Sequence, residues 1–82
     1  MKLEQAFGAV LRHFREERGL SQEELGFQSG YHRTYISQLE RGLKSPSLST
    51  LFQLSRVLHI SSSKLVSSVE RQAGPIPKRD RG

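Results

Sequence analysis

Apolar side chains recur near the start of the chain with the period of a helix. Phe7, Val10, Leu11 and Phe14 fall at i, i+3, i+4 and i+7, one stripe of an amphipathic helix running from Leu3 to Arg18. Gly19 ends it. Ser21, with Glu24 three residues on, has the spacing of a capping box, which satisfies two unpaired N–H groups and starts a second, short helix ending near Gln28. Gly30 offers a position where positive φ costs little, so the chain turns sharply and begins a third helix near His32. Tyr31, Ile36 and Leu39 hold that helix against the first two, and Arg33, Thr34, Ser37 and Gln38 are left on its other side. Gly42 is the next stop. Ser47, after Pro46, caps a fourth helix carrying Leu48, Leu51, Leu54 and Leu58. His59 and Ile60 connect it to a shorter fifth helix that starts in the cluster Ser61 to Ser63 and carries Leu65, Val66 and Val69. No stretch alternates with period two, so the expected fold class is all-α.

The chain has 82 residues, enough for one domain and too few for a second core. Cysteine is absent, so neither disulfides nor zinc-thiolate sites support the fold, and a reducing, cytoplasmic setting suits it. The 34% of hydrophobic residues is enough to build the core of a domain that buries about 60% of its chain surface. No apolar run approaches the roughly 18 residues of a membrane span, and the N-terminus lacks the apolar stretch of a signal peptide. The opening Met and a plausible tail lead us to expect a complete protein, with a domain over residues 1–70 and a basic tail over 71–82, rich in Pro and Gly, that is poorly ordered.

Catalysis finds little footing here. His13, His32 and His59 are 19 and 27 residues apart, without the i, i+4 partner of a helical metal pair. No serine sits in a Gly-x-Ser-x-Gly elbow, and no glycine-rich loop runs into Lys-Ser or Lys-Thr. A catalytic pocket is also hard to build in so small a helical domain. We therefore expect no enzyme, no metal and no cofactor. The formal net charge of +5 favours a polyanionic partner, and the excess has a location. Residues 1–30 carry four cations and five anions (−1), residues 31–64 five and one (+4), and residues 65–82 four and two (+2).

That excess begins inside the most informative segment, Gln22 to Gly42. Two helices joined by a short turn containing glycine describe a helix-turn-helix unit, whose second helix can enter the major groove of DNA. Gly26 lies where the two helices approach most closely, and Leu25, Ile36 and Leu39 supply the apolar contacts between them. Through Leu-Ser-Gln-Glu-Glu-Leu at 20–25 and Tyr-Ile-Ser-Gln-Leu-Glu-Arg-Gly at 35–42, the sequence resembles the lambda-repressor-like, or Cro-like, helix-turn-helix regulators. The resemblance covers residues 7–66, because Pro46-Ser47-Leu48 and Leu51 to Leu58 match that family's fourth helix. It implies a compact five-helix DNA-binding domain, with the helix-turn-helix at helices 2 and 3, acting as a homodimer on double-stranded DNA with a near-palindromic operator. His32-Arg33-Thr34-Tyr35-Ile36-Ser37 and the stand-alone length are similar to the controller proteins of restriction-modification systems.

Roles follow from the resemblance position by position. Arg33, Thr34, Ser37 and Gln38 match base-facing positions, with Arg33 suited to the two acceptors of guanine. Gln22 matches a phosphate-binding residue. Tyr35 matches a backbone contact, although packing against a neighbour is an equal reading. Arg41, Lys44, Ser45 and Ser47 lie on a loop and helix start able to hold phosphates. Arg15 and Glu40 match a salt bridge between the first helix and the end of the third; the alternative is two solvated surface charges. Ile60, Leu65, Val66 and Val69, with Phe52, are expected at a two-fold dimer interface, the alternative being the monomer core, with both uses sharing these residues. Lys78-Arg79-Asp80-Arg81 either reaches neighbouring phosphates or is a solvated end. Such a protein represses by covering a promoter or activates by offering a surface to RNA polymerase. A rival of the same fold is an antitoxin or transcription adaptor whose main partner is a protein.

Overall fold

Side-chain caps set where four of the five helices begin. In the computed structural model, which describes residues 1–75, the helices are α1 (Leu3–Glu17), α2 (Gln22–Ser29), α3 (Arg33–Glu40), α4 (Leu48–Leu58) and α5 (Ser62–Ala73). The fold is all-α, as expected, with no strand among the described residues. Ser21 Oγ accepts from the N–H of Glu24 at 3.0 Å while the Glu24 carboxylate accepts from the N–H of Ser21 at 2.9 Å, completing the expected capping box. Ser47 and Ser61 likewise accept from the N–H groups of Thr50 and Lys64. At α3 the cap is His32, whose Nδ1 accepts from the N–H of Thr34 at 3.0 Å. The left-handed Gly30, φ 84°, ends α2 and gives the chain its turn into α3.

Helix α1 packs along α5 and α3, and α2 packs against α3 and α4. The core they enclose takes Phe7, Val10, Leu11 and Phe14 from α1, Leu25 from α2, Ile36 and Leu39 from α3, and Leu54, Val57 and Leu58 from α4. Among the described residues no helix is long and apolar enough to cross a membrane.

The structure decides between two readings the sequence left open and corrects one expectation. Leu65 and Val69, expected at a dimer interface or in the monomer core, are 0% and 7% exposed within the single chain and belong to its core, against which Ile60 also packs. Lying four residues apart, Leu65 and Val69 share the stripe of α5 that faces α1, while Val66, about 100° around the helix, is 43% exposed. Leu48 is 70% exposed, and in the first turn of α4 it is Thr50, at 3% exposure, that turns inward. Finally, α5 is not short. It has 12 residues, one more than α4, and Ala73 packs against the core before Gly74 stops the helix. The basic cluster Lys78-Arg79-Asp80-Arg81 lies outside the described residues.

Candidate nucleic-acid interface

Helix α3 is clamped at both ends. Near its start the rings of Tyr31 and Tyr35 lie 5.1 Å apart, and both hydroxyls meet Thr50 Oγ1 on α4, at 3.0 and 3.3 Å. Ser47 Oγ shares the same buried atom at 3.0 Å. The turn before α3 comes so close to α2 that a Cβ on Gly26 would stand 2.6 Å from the carbonyl oxygen of Tyr31. At the far end, a Cβ on Gly8 would stand 2.6 Å from the carbonyl oxygen of Leu39 and would also meet that of Glu40. Helix α3 therefore rests backbone to backbone on α1.

Beside that contact, Arg15 Nε donates to Glu40 at 2.6 Å and Nη2 at 3.0 Å, a two-pronged pair whose side chains are 11% and 4% exposed. Arg15 Nη1 donates to the carbonyl of Leu20 at 2.8 Å, and Gln22 Nε2 donates to Glu40 at 3.1 Å. The hydrogen bond to Glu40 raises the pKa of the Arg15 guanidinium. Burial works in the opposite direction and loses, with the charges of Glu40 and Glu16 assisting the rise. Arg15 and Glu40 are thus a buried bridge joining α1 to α3.

The opposite side of α3 faces solvent. Arg33 and Thr34 are exposed, while Ser37 and Gln38, about one turn further on, are half-buried. Arg41, Lys44 and Ser45 are exposed on the loop after α3, where Ser45 Oγ donates to Glu4 at 3.3 Å. Among the described residues, the acids within ion-pairing distance of a cation or histidine are committed to Arg12, His13 and Arg15, so Arg33, Arg41 and Lys44 carry unneutralised charge. Arg33 and Gln22 line one depression with Ser21 and Glu23. The Gln22 amide, although occupied by Glu40, keeps its second N–H. Tyr35 turns its hydroxyl inward to Thr50, and Ser47 is engaged as a cap.

Three participants escaped the sequence reading. Gly8 had a signal, an isolated glycine inside a helical pattern. His32 as a cap had little, since histidine is not among the favoured capping residues. Thr50 had none. Away from α3, Leu48, Phe52 and Val66 are 70%, 56% and 43% exposed and border one groove with Leu51. Leu3 and Pro46 extend that apolar surface past Leu51 and Val66.

Comparison with known proteins agrees with this geometry. A helix-turn-helix family model matches residues 11–65. Over 70 residues the chain is 36% identical to the uncharacterized HTH-type transcriptional regulator y4dJ of Sinorhizobium fredii, covering 85% of this chain and 91% of that one. Among solved structures, the restriction-modification controller protein C.AhdI from Aeromonas hydrophila superposes with a TM-score of 0.74 at 40% identity, over 76% of this chain and 94% of that one. SinR, a master regulator for biofilm formation crystallised in complex with DNA, superposes with a TM-score of 0.70 at 34% identity, over 73% and 97%.

Proposed function

The chain belongs to the helix-turn-helix family, and from that premise we propose a cytoplasmic transcriptional regulator that acts by binding DNA and not by catalysis. The observation that carries this reading is the unneutralised set Arg33, Arg41 and Lys44 on the exposed side of a rigidly clamped α3 and its following loop. A cation without an acid partner keeps its full attraction for phosphate, and a fixed helix presents base-reading side chains in one register. Arg33 and Thr34 then read base edges from the first turn of α3, with Ser37 and Gln38 behind them. Arg41, Lys44, Ser45 and the free N–H of Gln22 hold phosphates.

Two copies, joined through the groove of Leu48, Leu51, Phe52 and Val66, place their α3 helices in successive major grooves about 34 Å apart on a near-palindromic operator. The likeness to C.AhdI supports a place among the controllers of restriction-modification systems. Selection of bound sequences from random DNA tests the assignment. Arg33→Ala should relax preference at one base pair, losing about 1–3 kcal/mol of discrimination. Arg41→Ala should weaken all sequences alike and reduce the salt slope by about one phosphate contact. An unchanged sequence preference in Arg33→Ala would show that the reading face is wrong.

A further inference from the structure

We propose that His32 is itself a DNA-contacting residue, donating a single hydrogen bond from Nε2 to an acceptor on the DNA. This deepens the DNA-binding reading above and rests on it. His32 Nδ1 accepts from the N–H of Thr34 at 3.0 Å. A nitrogen that accepts a hydrogen bond carries no proton, so while this cap is made the ring hydrogen is on Nε2. The two ring nitrogens point in nearly opposite directions. With Nδ1 turned back onto the helix start, Nε2–H points away from the backbone it caps. His32 is exposed, Nε2 has no partner among the described residues, and the next two residues are the exposed Arg33 and Thr34. The first residues of a recognition helix are those that approach base edges, so the imidazole stands at the rim of the groove with a donor held in one direction. The rotor and tautomer that a free histidine would have to fix on binding are already fixed by the cap. The acceptor is a phosphate oxygen or a purine or thymine acceptor at the groove edge, and both offer a lone pair to a neutral N–H.

Two measurements test this. In the free protein, nitrogen-15 spectra of the His32 imidazole should show an unprotonated Nδ1 and a protonated Nε2, and the Nε2–H signal should shift when DNA selected by the wild-type protein is added. A protonated Nδ1, or an Nε2–H signal that DNA leaves unmoved, would overturn the proposal without any variant having to fold. The second measurement uses His32→Ser, which keeps a strong N-cap and removes the donor. It should melt like wild type and bind the selected DNA about tenfold more weakly. Its salt slope should not change, because a neutral donor releases no counterion. Equal loss on unrelated DNA identifies a phosphate acceptor, and lost preference at one position identifies a base. Wild-type affinity in His32→Ser, or a salt slope reduced by one contact, would sink the proposal. If the wild-type protein selects no DNA at all, the DNA-binding reading falls with it; if it does and His32→Ser matches it, only the role of His32 is lost.

Discussion

Three helices meet on the carboxylate of Glu40. It ends α3, takes two hydrogen bonds from Arg15 of α1 and takes one from Gln22 at the start of α2. Because both charges are almost wholly shielded from solvent, removing one strands the other in a poorly solvated place. Glu40→Ala should therefore cost about 3–5 kcal/mol in urea unfolding. Adding Arg15→Met should restore part of that loss, since no buried charge is then left alone. A cost under about 1 kcal/mol would mean that the pair behaves as a solvated surface bridge. The sequence offered Arg15 and Glu40 as partners only through family resemblance, against the alternative of two surface charges. It offered Gln22 as a phosphate ligand and gave no sign of its bond to Glu40. Residues 18 positions apart share no period, so such a contact becomes visible only when the helices are docked.

Where the helices begin was much more legible, because a cap is a local bond. Ser21 and Glu24 announce α2 by their spacing, and the two hydrogen bonds from Ser21, the backbone one foremost, hold the Glu24 pKa below its ordinary value. A carboxylate with a depressed folded-state pKa contributes its stability above the unfolded pKa and loses it as pH falls through the folded one, so the start of α2 weakens only in acid. How the helices touch was less legible, and Gly8 shows why. In an exposed helix Gly→Ala stabilises by up to about 1 kcal/mol. At Gly8 the added Cβ would stand 2.6 Å from the carbonyl oxygen of Leu39, and a backbone atom cannot rotate aside as a side chain does. Gly8→Ala should thus destabilise the fold by about 1–3 kcal/mol and weaken DNA binding further by displacing α3. A raised melting temperature in that variant would show that α1 and α3 part without cost.

At the scale of the whole molecule the apolar surface divides between what closes the single chain and what stays open to solvent, the face proposed above to join two copies. Leu65, Val66 and Val69 entered as one group because neighbouring apolar residues on a terminal helix do not declare their direction. Helical geometry separates them, with Leu65 and Val69 facing α1 and Val66 joining Leu48, Leu51 and Phe52 around an outer groove. Neighbouring residues should then fail in different ways. Leu65→Asp places a charge in a site of 0% exposure and should abolish folding. Val66→Asp should keep the helical content and melting cooperativity of the wild type, yet sediment as a monomer. Its affinity for a full operator should fall by about 10²–10⁴, the gain that joining two sites confers, while affinity for an isolated half-site stays the same. A Val66→Asp protein that still sediments as a dimer would move the interface elsewhere. One that loses operator and half-site binding equally would mean that Val66 supports α3 within the chain. Unequal loss on the two DNAs is what a shared groove between copies requires, since the proposed half-site face of each copy draws on its own α2, α3 and the loop that follows α3.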